Sequence, residues 1–132
     1  MTHGSATPRV AILADDLNWA TRLASIVRLA GAVAVPASTG APFEAALTDA
    51  GGAIVDLAVR GADPIAAIAA ATTARVAVIA VGPHEDAVAR KRALEAGASR
   101  VYAYRKLYDD GPATIARWLD LPVPARPVVP AR

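Results

Sequence analysis

Five short aliphatic runs, each followed by a segment with helical spacing, constrain the fold of this chain more than any other feature. The runs are RVAILA (9–14), AVAVP (32–36), AIVDL (53–57), RVAVIAV (75–81) and RVYAY (100–104). Most are apolar at consecutive positions, which is typical of strands buried on both faces of a parallel sheet. Their alternation with helices predicts a doubly wound α/β domain, with a five-stranded parallel sheet and helices on both faces.

The segments between these runs carry helix start and stop signals. Residues 17–30 place apolar side chains on one stripe, and Gly31 ends that helix. Thr39 and Pro42 announce a second helix, and Asp63 followed by Pro64 gives a cap and a first-turn proline for the third. The fourth and fifth helices are predicted over 85–96 and 109–119.

Composition sets further bounds. The 132 residues are enough for one domain with its own core, and the absence of cysteine excludes disulfides and thiolate metal sites. No apolar run approaches the roughly 20 residues of a membrane span, and the opening MTHGSATP lacks the features of a signal peptide. We therefore expect a cytoplasmic protein with a flexible N-terminus (1–7), one domain (8–120) and a Pro-rich tail (121–132).

Carboxylates stand where two of the predicted strands end. Asp15 and Asp16 follow the first strand, and Asp56 ends the third. In an open parallel sheet, ligands bind beyond the carboxyl ends of the strands, where the strand order reverses. Three converging carboxylates repel one another unless a cation is present, and oxygen ligands suit Mg²⁺. A simpler alternative is that one of the adjacent aspartates caps the next helix, which accounts for neither the other nor Asp56.

These features together resemble the receiver domain of response regulators, the phosphoacceptor module of two-component signalling. The motifs are ILADDLNWATRL (12–23), FEAAL (43–47), AIVDL (53–57) and ALEAGASRVYAY (93–104), and the resemblance covers roughly residues 8–120. It implies a flavodoxin-like, receiver-type fold in which Asp56 is the phosphoryl-accepting aspartate. It also implies that Asp15 and Asp16 are the acids that bind Mg²⁺.

The sequence departs from the family pattern at two positions that complete the phosphorylation switch. The Ser or Thr expected at the end of strand four is Gly82, which has no side chain to bond a phosphoryl group. The lysine expected at the end of strand five falls on Tyr104 without gaps, or on Lys106 if two residues are inserted. The resemblance therefore indicates a divergent pseudo-receiver, with an acidic half that matches and a switching half that does not.

We expect a signalling module, not an enzyme, that acts through protein–protein contacts. Receivers usually present the fourth helix, the fifth strand and the last helix to a histidine kinase, an effector or a second copy. Seven of the fourteen basic residues lie between positions 90 and 117: Arg90, Lys91, Arg92, Arg100, Arg105, Lys106 and Arg117. A solvated basic face is the simpler interpretation of this cluster.

The alternative within the family is an ordinary single-domain response regulator, phosphorylated at Asp56 with Mg²⁺, in which Lys106 and the Gly82 amide replace the missing parts. Outside the family, a flavin-binding protein is disfavoured because the loop after strand one is anionic and lacks glycine. A hydrolytic enzyme of the aspartate-nucleophile type is disfavoured because Asp15 and Asp16 are adjacent and not separated by one residue. Nucleic-acid binding is disfavoured because the residues after Leu119 are too few for a helix-turn-helix. Trp19 and the pair Tyr102 and Tyr104 are expected to pack against the core.

Overall fold

Five parallel strands form one sheet in the order β2-β1-β3-β4-β5, in a computed structural model that describes residues 7–125. The strands are β1 (Arg9–Leu13), β2 (Val33–Ala37), β3 (Gly52–Asp56), β4 (Val78–Gly82) and β5 (Arg100–Ala103). The strand order reverses between β1 and β3, which are direct neighbours in the sheet. The sheet confirms the fold class predicted from the aliphatic runs.

Five helices connect the strands and cover both faces of the sheet. They are α1 (Leu17–Leu29), α2 (Gly40–Ala46), α3 (Pro64–Thr73), α4 (Ala87–Ala96) and α5 (Tyr104–Trp118), and α2 continues into a 3₁₀ turn at Leu47–Asp49. The Asp63 side chain accepts hydrogen bonds from the first backbone amides of α3, as its position before Pro64 predicts. Gly97 ends α4 at a φ of +121°, a left-handed conformation that favours glycine.

Two apolar clusters, one on each face of the sheet, form the core. Val10, Ile12 and Ile79 point to the face covered by α1 and α5, whereas Ala11, Val55 and Ala80 point to the face covered by α2, α3 and α4. The central strands β3 and β4 are buried along their whole length. This two-sided burial explains why those strands are apolar at consecutive positions.

The last helix differs from its predicted bounds, because it begins at Tyr104 and not at residue 109. Its first turns are stabilised by the i,i+4 pairs Arg105–Asp109 and Lys106–Asp110. The backbone leaves helical geometry at Asp110 (φ −143°, ψ 32°), just before Gly111 and Pro112. Two short helices are therefore joined end to end across a kink at this point. The residues at 109–112, which carry the sequence signals of a helix start, lie at the kink and not at the beginning of the helix.

The two edge strands carry features that hinder further strand pairing. Edge strand β2 contains Pro36, which lies opposite Ile12 of β1. At the other edge, Arg90 Nη1 donates a hydrogen bond to the Val101 carbonyl oxygen of β5 at 3.0 Å. Both features reduce the backbone hydrogen-bonding capacity that an exposed edge offers to another chain.

The predicted flexible N-terminus (1–7) and Pro-rich tail (121–132) fall largely outside the described residues, which exclude 1–6 and 126–132. Within the described part of the tail, Leu121 packs against the cluster beneath α1 and α5. Between residues 7 and 125, no helix has the length and apolar character needed to cross a membrane.

Candidate functional site

The three predicted carboxylates lie at one edge of the sheet, where β1 and β3 end side by side. Asp15 and Asp16 follow β1, and Asp56 is the last residue of β3. The negative charges of Asp16 and Asp15 both help to raise the pKa of Asp56, so the carboxylates interact electrostatically. The topology therefore brings together residues that are about forty positions apart in the sequence.

Asp56 is almost completely buried, with 1% of its surface exposed. Its Oδ1 atom accepts hydrogen bonds from the Tyr104 hydroxyl at 2.5 Å and from the Ala58 amide at 3.0 Å. Burial raises the pKa of Asp56, the bonds from Tyr104 and Ala58 lower it, and the net direction is upward. Asp56 is therefore a carboxyl group for which the charged form is disfavoured.

Tyr104 occupies the position beside Asp56 because it begins α5 directly after β5. Burial and the neighbouring Asp56 raise the pKa of its hydroxyl, which therefore remains a hydrogen-bond donor. The Trp19 ring packs against the Tyr104 ring, with the centroids 4.5 Å apart and the planes tilted by 35°. The expectation that Tyr104 packs against the core is confirmed. The residue begins α5 and does not end strand five, and its hydroxyl in addition binds Asp56.

Asp15 is held by the loop that follows β3. Its Oδ2 atom accepts hydrogen bonds from the backbone amides of Arg60 at 2.8 Å and Gly61 at 2.7 Å. These two bonds lower the pKa of Asp15. Asp15 therefore connects the end of β1 to the loop between β3 and α3.

Asp16 caps the first helix. Its Oδ1 atom accepts a hydrogen bond from the Trp19 amide at 3.0 Å, and its backbone is extended, as is usual at an N-cap. This confirms that one member of the adjacent pair is a cap. The same contact places Trp19 in the first turn of α1, above the ring of Tyr104.

The predicted Mg²⁺ site is not formed in this conformation. Across residues 7–125, no group of three or more His, Cys, Asp or Glu side chains is arranged to hold a metal ion. Asp15, Asp16 and Asp56 each accept a hydrogen bond from a protein donor. The assignment of Mg²⁺ to these residues stays a prediction.

Gly82 lies at the end of β4, beside the end of β3, where the family hydroxyl is expected. A Cβ atom at this position would lie 3.1 Å from Leu57 Cδ1 and 3.2 Å from Leu57 Cβ. The side chain of Leu57 therefore occupies the space beside Gly82. A serine or threonine here would require Leu57 to move.

Lys106 directs its charge along α5. Its Nζ atom lies 3.5 Å from Asp110 Oδ2, one helical turn later, and its side chain is 49% exposed. Arg105 pairs in the same way with Asp109, at 3.1 Å. Both cations that could replace the family lysine therefore form ion pairs within α5. These pairs could not be predicted from the sequence, because residues 105–108 were expected to form a loop before the helix.

Solved structures with the same fold are receiver domains. The chain is similar to a CheY-like response regulator receiver domain protein from Methanospirillum hungatei JF-1, with 20% identity, a TM-score of 0.71, and 87% of this chain and 95% of that chain covered. A receiver domain from Rhodospirillum rubrum gives 18% identity and a TM-score of 0.70, with 88% and 96% covered. One from Clostridium thermocellum gives 15% identity and 0.72, with 86% and 94% covered.

No family model matches the chain, and no curated protein has a significant match to it. The similarity to solved structures is therefore one of fold, at sequence identities of 20% or less in these three cases. The chain has the receiver fold, and what its site does must be argued from its own residues.

Proposed function

We propose that this chain is a receiver-like signal-transduction module of the two-component type, which acts through protein–protein contacts and has a degenerate phosphorylation switch. The observation that carries the proposal is the hydrogen bond from the Tyr104 hydroxyl to Asp56 Oδ1. A half-buried neutral donor, the Tyr104 hydroxyl, stands where a receiver is expected to supply a cation. The placement of Leu57 beside Gly82 supports the same conclusion at the second switch position.

The electrostatics of the site oppose phosphorylation. A phosphoryl group brings about two negative charges, which need cations or aligned donors for stabilisation. Asp56 is buried beside Asp15 and Asp16, and the nearby cations Arg105 and Lys106 pair with aspartates of α5. Burial also disfavours the ionised form of Asp56, which is the form that attacks phosphorus.

Intact-mass measurement after incubation with Mg²⁺ and acetyl phosphate tests the proposal. We expect no stoichiometric phosphoryl adduct on the wild type. Tyr104→Lys places a cation beside Asp56 and is expected to increase labelling, whereas Tyr108→Lys, at an exposed position of the same helix, adds the same charge outside the site. A stoichiometric adduct on the wild type that Asp56→Ala removes would overturn the degenerate switch.

One observation favours the alternative of an ordinary phosphorylatable response regulator. Both hydrogen bonds to Asp56 fall on Oδ1, and neither involves Oδ2. In this alternative, Oδ2 attacks the phosphorus of the donor, and the bond from phosphorus to the leaving-group oxygen breaks with its electron pair on the leaving group. The same mass measurement distinguishes the two functions, because only the alternative predicts an acyl phosphate on the wild type.

The partner surface is proposed to include α4, β5 and α5, facing a histidine kinase, an effector or a second copy in the cytoplasm. On α4, Val88 and Leu94 are 70% and 45% exposed, next to Lys91 and Arg92. Exposed apolar side chains among cations are typical of contact surfaces. Light scattering tests the second copy directly, since Val88→Asp would abolish a dimer formed through this face and leave a monomer unchanged.

A further inference from the structure

A groove between β5 and α5, within the surface proposed above to meet a partner, has features of a small-ligand site. We call it the β5–α5 groove; it has a volume of about 440 Å³ and is lined by Ser99, Arg100, Lys106, Thr114 and Arg117 with two aromatic residues. Its size lies in the range of small-molecule sites. It shares no residue with the cluster of Asp15, Asp16 and Asp56.

The β5–α5 groove is strongly positive. Arg100 makes no ion pair with any residue from 7 to 125, whereas Lys106 and Arg117 share the single carboxylate of Asp110, at 3.5 and 3.7 Å. Three cations and one carboxylate leave two net positive charges along the groove. A doubly charged anion is the ligand that this balance would neutralise.

Thr114 supplies a second and independent observation. The residue is 5% exposed, and its Oγ1 atom is the one buried side-chain polar atom of the described chain that lacks a hydrogen-bond partner. In a regular helix a threonine hydroxyl can bond the carbonyl four residues earlier, but that residue is Asp110, where the backbone leaves helical geometry. An unsatisfied buried hydroxyl destabilises the folded protein unless a ligand satisfies it.

We propose that the β5–α5 groove binds a small phosphate monoester. Arg100 and Arg117 pair with phosphate oxygens, and Lys106 supplies a further positive charge. The Thr114 hydroxyl, whose oxygen is enclosed in the free protein, bonds a phosphate oxygen once the covering side chains move. The Lys106 and Arg117 side chains are 49% and 60% exposed, so both can move to admit the ligand. A phosphate monoester fits because it combines about two negative charges with several acceptor oxygens.

Titration of the full chain with glycerol 3-phosphate at constant ionic strength, followed by amide NMR, tests this site. We expect saturable shifts centred on Ser99, Arg100 and Thr114. Arg117→Gln should weaken binding roughly tenfold, as expected for a lost charged hydrogen bond. Arg92→Gln makes the same change on α4, outside the groove, and should leave binding unchanged.

Thr114→Val separates the hydroxyl from the surrounding charges. It should weaken binding about fivefold and raise the melting temperature of the free protein, because the unsatisfied hydroxyl is removed. Unchanged affinity in Thr114→Val would overturn the proposal, as would succinate binding as tightly as glycerol 3-phosphate. Asp56→Asn should bind the ligand normally, so a failure here is distinct from a failure of the proposed function.

Discussion

Two halves of one sheet edge differ in how far they keep the chemistry of a receiver. The half formed by the ends of β1 and β3 carries Asp15, Asp16 and Asp56, which interact electrostatically. The half formed by the ends of β4 and β5 carries Gly82, where the family pattern has a Ser or Thr hydroxyl. It also carries Tyr104, where the family pattern has a lysine. The fold thus holds both halves in position whether or not the second can switch.

The contacts show how the second half is filled. Leu57 occupies the space beside Gly82, and Tyr104 bonds Asp56 while stacking on Trp19. A leucine side chain and the Tyr104 hydroxyl therefore lie at the two positions where the sequence resemblance predicts a phosphoryl-binding hydroxyl and a cation. The environment of Asp56 therefore depends on the side chains packed beside it as well as on the neighbouring acidic residues.

Gly82→Thr should have the largest effect on the comparison. Its Cβ atom would lie 3.1 Å from Leu57 Cδ1, so we expect a loss of about 3 kcal/mol in the free energy of unfolding from overpacking. Urea denaturation measures this loss. The double variant Gly82→Thr, Leu57→Ala should lose less free energy of unfolding than the two single variants lose together. Simple additivity would contradict a contact between position 82 and Leu57.

Tyr104→Phe should lower the free energy of unfolding by about 2 kcal/mol at neutral pH, because it removes the hydroxyl bonded to a buried carboxyl group. The ring remains to stack on Trp19. Loss of the bond raises the pKa of Asp56 further, so the destabilisation should be smaller in acid, where the carboxyl is protonated. Tyr102→Phe is the matched control, and an equal loss there would argue against a special role for Tyr104.

Asp56→Asn should raise the free energy of unfolding at pH 7 by about 1 kcal/mol. The pKa of Asp56 is raised in the folded state. At pH values between the pKa of the unfolded state and that of the folded state, the native protein therefore binds more protons than the unfolded chain. Its stability falls as pH rises through this range. The asparagine removes that penalty and keeps an acceptor for Tyr104. Denaturation curves at several pH values should show the gain disappearing below the pKa of the unfolded aspartate.

Asp15→Asn should change the free energy of unfolding the least. Its effect should depend on pH in the opposite direction to that of Asp56→Asn. Its two backbone hydrogen bonds lower the pKa of Asp15, so its contribution is present above the unfolded pKa and is lost as pH falls through the folded value. We expect faster hydrogen exchange at the Arg60 and Gly61 amides at pH 7. Unchanged exchange at both amides would contradict the role of Asp15 in holding the loop.

The strands and most helix ends could be predicted because their signals are local. The apolar runs gave the strand positions to within a few residues, and Asp63, Gly31 and Gly97 marked helix ends through capping and positive φ angles. The convergence of the carboxylates followed from topology, since parallel strands end at a common edge.

The partners of the site residues could not be predicted, because they depend on contacts between distant segments. Tyr104 reaches Asp56 across 48 positions of sequence, and Asp15 reaches Gly61 across 46. The early start of α5 was also missed, since the signals at Gly111 and Pro112 are typical of a helix start and here mark a kink. One sequence signal pointed to a place for Tyr104 in the site. When the chain is compared with the family without gaps, Tyr104 falls on the position of the expected lysine.

The guarded edges of the sheet have a consequence for self-association. With Pro36 in β2 and the Arg90 side chain on the Val101 carbonyl of β5, both outer strands resist the addition of another strand. Folded molecules are therefore less prone to pair edge to edge. An oligomer of the folded chain is expected to form through helices and side chains and not by extending the sheet.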